Sequence, residues 1–141
     1  LVPGFWAPTH ATWGCENRTT ALRLITGSEA SQRVEYRVGP ADANPYLALS
    51  AALASGLYGI AHQIEPEPMV EGNAYEQSQP GNLALPQSLA DAAEQFRQSV
   101  VARELFGADF VEHFAATRMW EAAENRKHVS DWELARYFEI I

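Results

Sequence analysis

Arg33-Val34-Glu35-Tyr36-Arg37, with Asn44-Pro45-Tyr46-Leu47 close behind it, is the stretch whose reading decides the fold. Successive side chains of a strand point to opposite faces. Arg33, Glu35 and Arg37 therefore share one face, and Val34, Tyr36 and Val38 share the other. Upstream, Thr20–Ile25 also reads as a strand, with Ala21, Arg23 and Ile25 on one side, and turn-forming residues fill Thr26–Ser31. The two runs predict an antiparallel hairpin. Given the right register, Arg23 joins the face that carries Glu35. Four of the chain's ten Lys/Arg residues lie between positions 18 and 37. Guanidinium forks match planar anions and a carboxylate suits a hard cation, so the cluster fits phosphate, carboxylate and metal. A solvated strand held by its own ion pairs presents the same pattern.

Beyond Gly39-Pro40 the periodicity changes. Asn44 is a good helix N-cap and Pro45 suits the first helical position. The helix that follows, from Pro45 to about Gln63, is apolar nearly all round and rich in Ala, Ser and Gly, which predicts burial. Glu65-Pro66-Glu67-Pro68 ends it, and a loop carrying Tyr75 runs to Pro86. Three helices are expected after that. Ser88 and Asp91 open the first, whose stripe is Leu89, Ala92, Ala93, Phe96 and Val100, and Gly107 closes it. Asp109 caps the second, which runs through Phe110, Phe114 and Met119 to Ala123, and Ser130 with Glu133 forms a capping box for the third. Their Phe and Trp residues read as core. At the other end, Thr9–Trp13 is strand-like, and Leu1–Pro8 is a loop punctuated by Pro3-Gly4 and Ala7-Pro8. Its Phe5 and Trp6 either pack onto their own domain or cover a substrate. The fold class is α+β: hairpin strands, then a mostly helical C-terminal part.

A length of 141 residues suits about one domain, and 47% hydrophobic with 20% charged residues suits a globular core. A net charge of −8 argues against nucleic acid and anionic membranes as partners, and makes a local arginine cluster more pointed. No stretch reaches the roughly 18 apolar residues of a membrane span. The single cysteine, Cys15, excludes an internal disulfide and reads as a buried or spectator thiol. His10, His62, His113 and His128 show no metal spacing, and no Gly-rich phosphate loop is present. The sequence opens on Leu1 without a signal-peptide layout, so it is expected to begin inside a larger protein.

Several of these pieces together carry a resemblance. Leu1-Val2-Pro3-Gly4, Ala7-Pro8, Asn17-Arg18-Thr19, Arg23, Arg33-Val34-Glu35-Tyr36-Arg37, Asn44-Pro45-Tyr46-Leu47 and Gly56-Leu57 through Gly59-Ile60 resemble the second half of the catalytic domain of glutamine synthetases. The likeness continues weakly through Asn73-Ala74-Tyr75, Leu85-Pro86-Gln87-Ser88-Leu89 and Trp132-Glu133, and so covers essentially the whole chain. It implies one partial domain over residues 1–141, the N-terminal domain and the first half of the catalytic domain being absent. It also implies a cytoplasmic ligase of nitrogen metabolism and glutamine biosynthesis, assembled as a ring-forming homo-oligomer. Such an enzyme uses ATP and Mg2+ or Mn2+ to make an amide on the side-chain carboxylate of L-glutamate, through a gamma-glutamyl phosphate, with ammonia as the default nucleophile.

The resemblance implies a role for each cluster residue. Glu35 is a ligand of the catalytic metal. Arg37 holds the glutamate carboxylate. Arg18 neutralises the transferring phosphoryl group and neighbouring substrate, and Arg23 and Arg33 contact ATP phosphates. Leu1–Pro8 is the flap that closes over glutamate and keeps water from the acyl phosphate. Departures stand beside these matches. Trp6 occupies the flap position where ammonia-using members carry a glutamate, so an apolar wall for an alkyl amine or polyamine is the alternative. A non-catalytic structural relative is a further one. Glu16 stands where an arginine is frequent, and the hairpin turn holds Glu29 and no Lys or Arg. Tyr75 stands where some bacterial members are adenylylated. The other metal ligands of the family have no counterpart in residues 1–141, so purified 1–141 is expected to show no synthetase activity. Measurable ATP- and glutamate-dependent turnover by that polypeptide would contradict this.

Overall fold

A computed structural model describes residues 5–140. It is α+β and divides into two compact units, Leu1–Leu85 and Pro86–Ile141. The first holds a three-stranded sheet, β1 (Trp13–Cys15), β2 (Leu22–Ile25) and β3 (Arg33–Tyr36), in that order across the sheet, and the helix α1 (Pro45–Ala61). Of the flap Leu1–Pro8, positions 1–4 lie outside the described residues.

The expected hairpin forms: β2 and β3 are antiparallel, pairing Leu22 with Tyr36, Arg23 with Glu35, Leu24 with Val34 and Ile25 with Arg33. The register puts Arg23 on the face of Glu35. The strand expected at Thr9–Trp13 is shifted. Trp13–Cys15 pairs with β2 in parallel, while His10 makes a single antiparallel bridge to Ala84. A buried knot fixes this end of the sheet. Asn17 Nδ2 donates to the carbonyls of Val70 (3.2 Å) and Gly72 (2.8 Å), and its Oδ1 accepts from the Thr19 amide (3.0 Å) and hydroxyl (2.6 Å). Thr19 Oγ1 accepts in turn from the Ala74 amide at 2.9 Å. Thr19, Thr20 and Val70 are buried here with Ala21 and Ala74.

Helix α1 starts as expected, with Asn44 Oδ1 accepting from the amides of Tyr46 (3.0 Å) and Leu47 (3.3 Å). Its expected burial is not met. No residue of α1 is buried, and Tyr46, Leu49, Leu53 and Ile60 are all more than 60% exposed. An all-round apolar helix needs cover on every side, and the described residues do not supply it. The apolar face of β3 is open in the same way at Val34 and Tyr36. In the 66–86 loop, Ala74–Glu76 and Gly81–Leu83 form single 3-10 turns.

The second unit has four helices, one more than expected: α2 (Leu89–Gln98), α3 (Val100–Phe106), α4 (Ala108–Asn125) and α5 (Asp131–Tyr137). The extra break falls at Ser99, which is extended (φ −69°, ψ 115°) and whose hydroxyl accepts from the Ala102 amide, so it caps α3. Gly107 at φ 81°, and not Asp109, is the N-cap of α4. Ser130 and Glu133 form the expected capping box. Val111 and Ala115 are fully buried, beside an aromatic cluster in which Phe96 and Phe114 meet edge to face at 5.8 Å. Trp120 and Trp132 stand exposed, so the core stripe is made of Phe and not of Trp.

Gly14 is where backbone approach is closest. A Cβ there would lie 2.8 Å from both Asn17 Cβ and the Val70 carbonyl oxygen. Gly14→Ala is therefore expected to destabilise the first unit by about 1–3 kcal/mol, the usual range for overpacking. Gly39→Ala, which meets nothing within 4 Å, should be neutral or slightly stabilising. Equal urea midpoints for the two variants would show that the contact at Gly14 is not tight.

Candidate active site

Cross-strand pairing builds the site. Opposite residues of an antiparallel ladder have their Cβ atoms about 5 Å apart, so long side chains on them meet. Arg23 Nη1 donates to Glu35 Oε2 at 3.3 Å, and Arg37 Nη1 lies 3.2 Å from the same oxygen. Arg23 Nη2 also pairs with Glu16, which leaves β1 at a positive φ of 50°. Both arginine side chains are largely buried, while Glu35 and Glu16 are more open.

Charge follows the geometry. Burial pushes the Glu35 carboxyl up, but the hydrogen bonds and charges of Arg37 and Arg23 outweigh it and hold the group below the usual carboxylate range. The Glu16 hydrogen bond leads in raising the pKa of Arg23, against its burial and with help from Glu35. The Nε atoms of Arg23 and Arg37 are buried and have no partner among the described residues. Those unused cationic donors fit a site that receives anionic oxygens such as phosphate or carboxylate. A divalent cation is different. It takes several oxygen ligands, and the described residues hold no group of three His, Cys, Asp or Glu. Glu35 offers a single carboxylate, so these residues alone do not fit a metal.

The segment at Trp6 and Ala7 is held through its backbone. Arg37 Nη2 donates to the Trp6 carbonyl at 2.6 Å, and the Tyr75 hydroxyl donates to the Ala7 carbonyl at 2.9 Å. Trp6 itself has a left-handed backbone, φ 56°. Beside it opens a cavity of about 910 Å³ lined by Trp6, Glu16, Arg18, Met69 and Tyr75 among others. Cys15 lines it too and is exposed, not buried.

The residues singled out from sequence thus fall into three places. Arg23, Glu35 and Arg37 come together, with the Trp6 carbonyl bound to Arg37. Arg18 and Trp6 line the cavity, and Arg18 makes no ion pair with the described residues. Arg33 stands apart, donating to the Ser31 carbonyl at 2.9 Å in its own turn. Sequence reasoning missed the part played by Asn17 and Thr19, which brace the loop bearing Tyr75. An Asx turn is the signal that pointed to it, since Asn followed two residues later by Thr commonly bonds its own backbone.

The family model described as glutamine synthetase, catalytic domain, matches residues 1–137. The chain is 46% identical over 144 residues to type-1 glutamine synthetase 2 of Dictyostelium discoideum, covering 100% of this chain and 27% of that protein. It is 45% identical over 136 residues to a glutamate–isopropylamine ligase of a Pseudomonas species, covering 96% of this chain and 30% of the relative. A gamma-glutamylethanolamide synthetase of Streptomyces coelicolor is 42% identical over 139 residues, covering 97% and 29%. Among solved structures, apo GmaS without ligand superposes with a TM-score of 0.72 at 27% identity, covering 94% of this chain and 31% of that one. The chain therefore spans about a third or less of the relatives it matches.

A carboxyl whose folded pKa is depressed stabilises the fold fully above its unfolded pKa, about 4.3 for Glu, and loses that contribution as pH falls through the folded value. Glu35 is such a group. The destabilisation caused by Glu35→Gln should therefore be complete at neutral pH and shrink below about pH 4.3. A gap between the wild-type and variant urea midpoints that stays constant from pH 7 into the acid range would contradict the ion-pair assignment.

Proposed function

We propose, because this chain belongs to the glutamine synthetase family through its catalytic domain, that the protein carrying it is a ligase that joins L-glutamate to an amine at the expense of ATP. The observation that carries the choice of nucleophile is Trp6. An indole lines the cavity with Met69 and Tyr75, where a proton-accepting carboxylate is expected for ammonia. An apolar wall gains from an alkyl group by burial, about 0.8 kcal/mol per methylene, while Glu16 and Glu71 bring carboxylates to the same cavity. The similarity to a glutamate–isopropylamine ligase and a gamma-glutamylethanolamide synthetase supports the same reading. Ammonia is the second reading, favoured by the similarity to a glutamine synthetase of Dictyostelium.

In this proposal each residue does what its surroundings permit. Arg18, without an ion pair among the described residues, meets the transferring phosphoryl group at the cavity. Transfer of phosphoryl to a carboxylate is chiefly a matter of positioning and charge neutralisation, which a guanidinium supplies. Arg37 receives the glutamate carboxylate, exchanging the Trp6 carbonyl for it. Arg23 serves the nucleotide phosphates, but Glu16 already holds one of its nitrogens, so part of its charge is spent. Arg33, turned into its hairpin turn, is the weakest of the phosphate contacts. Glu35 would give one carboxylate to a Mg2+ or Mn2+ ion only with further oxygen ligands that the described residues do not supply.

The amide-forming step needs the ammonium to lose one proton to become the free amine, the amine nitrogen to attack the activated carbonyl carbon, phosphate to leave with the bridging oxygen, and a second proton to leave the nitrogen after attack. Water must be kept out while the acyl phosphate waits. In this proposal the segment that carries Trp6 supplies that exclusion.

Amide formation by the full-length protein, with ATP, glutamate and either ammonia or a series of short alkyl amines, tests the proposal. An alkyl amine should show the higher kcat/KM. Trp6→Glu should shift the amine-to-ammonia ratio towards ammonia by about tenfold or more, the scale set by a few apolar contacts. Ammonia outpacing every amine tested, with the ratio unmoved in Trp6→Glu, would overturn the choice of an amine.

A further inference from the structure

We propose that Tyr75 is a positioning residue that latches the Trp6 loop, a role that rests on the ligase reading above and deepens it. Trp6 is a bulky residue in a left-handed backbone, a conformation that non-glycine residues adopt only when their surroundings impose it. Its own side chain does not impose it, because Trp6 is 63% exposed. What holds the segment is its backbone, at two consecutive carbonyls: Arg37 takes that of Trp6 and Tyr75 that of Ala7.

The two anchors are not equivalent. Arg37 is also paired with Glu35, and in the proposed reaction it turns to the substrate carboxylate. The Tyr75 hydroxyl makes no other hydrogen bond among the described residues. It is the anchor that persists when Arg37 is engaged elsewhere. Its footing is firm. The Tyr75 amide is bound by Asn73 Oδ1 at 3.1 Å, and neighbouring Ala74 is buried with its amide on Thr19 Oγ1. The Asn17 and Thr19 knot is thereby linked, through one aromatic ring, to the loop that places the indole at the cavity. Tyr75 touches no reacting atom in this account. It acts by fixing where Trp6 stands while the activated glutamate waits for its amine.

Tyr75→Phe removes the latch hydrogen bond and keeps the ring. In the full-length protein, amide exchange at residues 5–9 is expected to rise about 2- to 10-fold, the equivalent of one ordinary hydrogen bond. Exchange at residues 17–24 should not change. In turnover with glutamate, ATP and an alkyl amine, the fraction of phosphate released without amide should rise several-fold, with a smaller change in KM for glutamate. Unchanged exchange at residues 5–9 overturns the latch whatever the kinetics do. Exchange that rises equally across residues 5–85 also overturns it, since Tyr75 would then be holding the fold. A wild-type protein that forms no amide from any nucleophile removes the ligase reading, while the exchange comparison still decides the latch.

Discussion

Glu35 sits between two guanidinium groups because an antiparallel register places Arg23 opposite it and the alternation of one strand places Arg37 on its own face. Most of what characterises the first unit follows from that arrangement. Largely buried arginines are tolerable only when paired, so the carboxylate is as much a condition of the sheet as a part of the site. Arg37 carries the arrangement outwards, since the guanidinium that meets Glu35 also binds the Trp6 carbonyl. One side chain thereby connects strand, charge cluster and flap.

The hairpin, the caps at Asn44, Ser88 and Ser130, and the shared face of Arg23, Glu35 and Arg37 were legible because each depends on neighbours in sequence or on a period of two. What was not legible has no such signal. The donation from Asn17 to Val70 and Gly72 joins residues more than fifty positions apart, and the parallel pairing of β1 with β2 joins neighbours in sequence without a hairpin turn; no periodicity announces either. The break at Ser99 was hidden because Val100 continues, after Phe96, an apolar stripe that suits one long helix. Only the extended backbone at Ser99 shows that its hydroxyl was recruited as a cap. Arg33 shows the limit of face reasoning. It lies on the expected side of β3, yet the turn carbonyl of Ser31 captures it before it reaches the cluster.

Helix α1 states the other constraint. Its sequence is that of a buried helix, and its surface is bare. The apolar face of β3 is bare in the same unit, and the chain spans about a third or less of the relatives it matches. The site has the same character: arginines with donors to spare, one carboxylate for a cation that wants several, and a loop that covers one side of a cavity. Bare apolar surface and unpartnered donors thus occur in the same unit.

In the proposed reaction the arginine cluster serves transfer of a phosphoryl group to the side-chain carboxylate of glutamate before an amide forms. Glutamate labelled with 18O in that carboxylate, turned over by the full-length protein with ATP and an alkyl amine or ammonia, tests it directly. The phosphate released is expected to carry one 18O atom per amide formed, because the carboxylate oxygen leaves with phosphorus. Amide formed with unlabelled phosphate would contradict it.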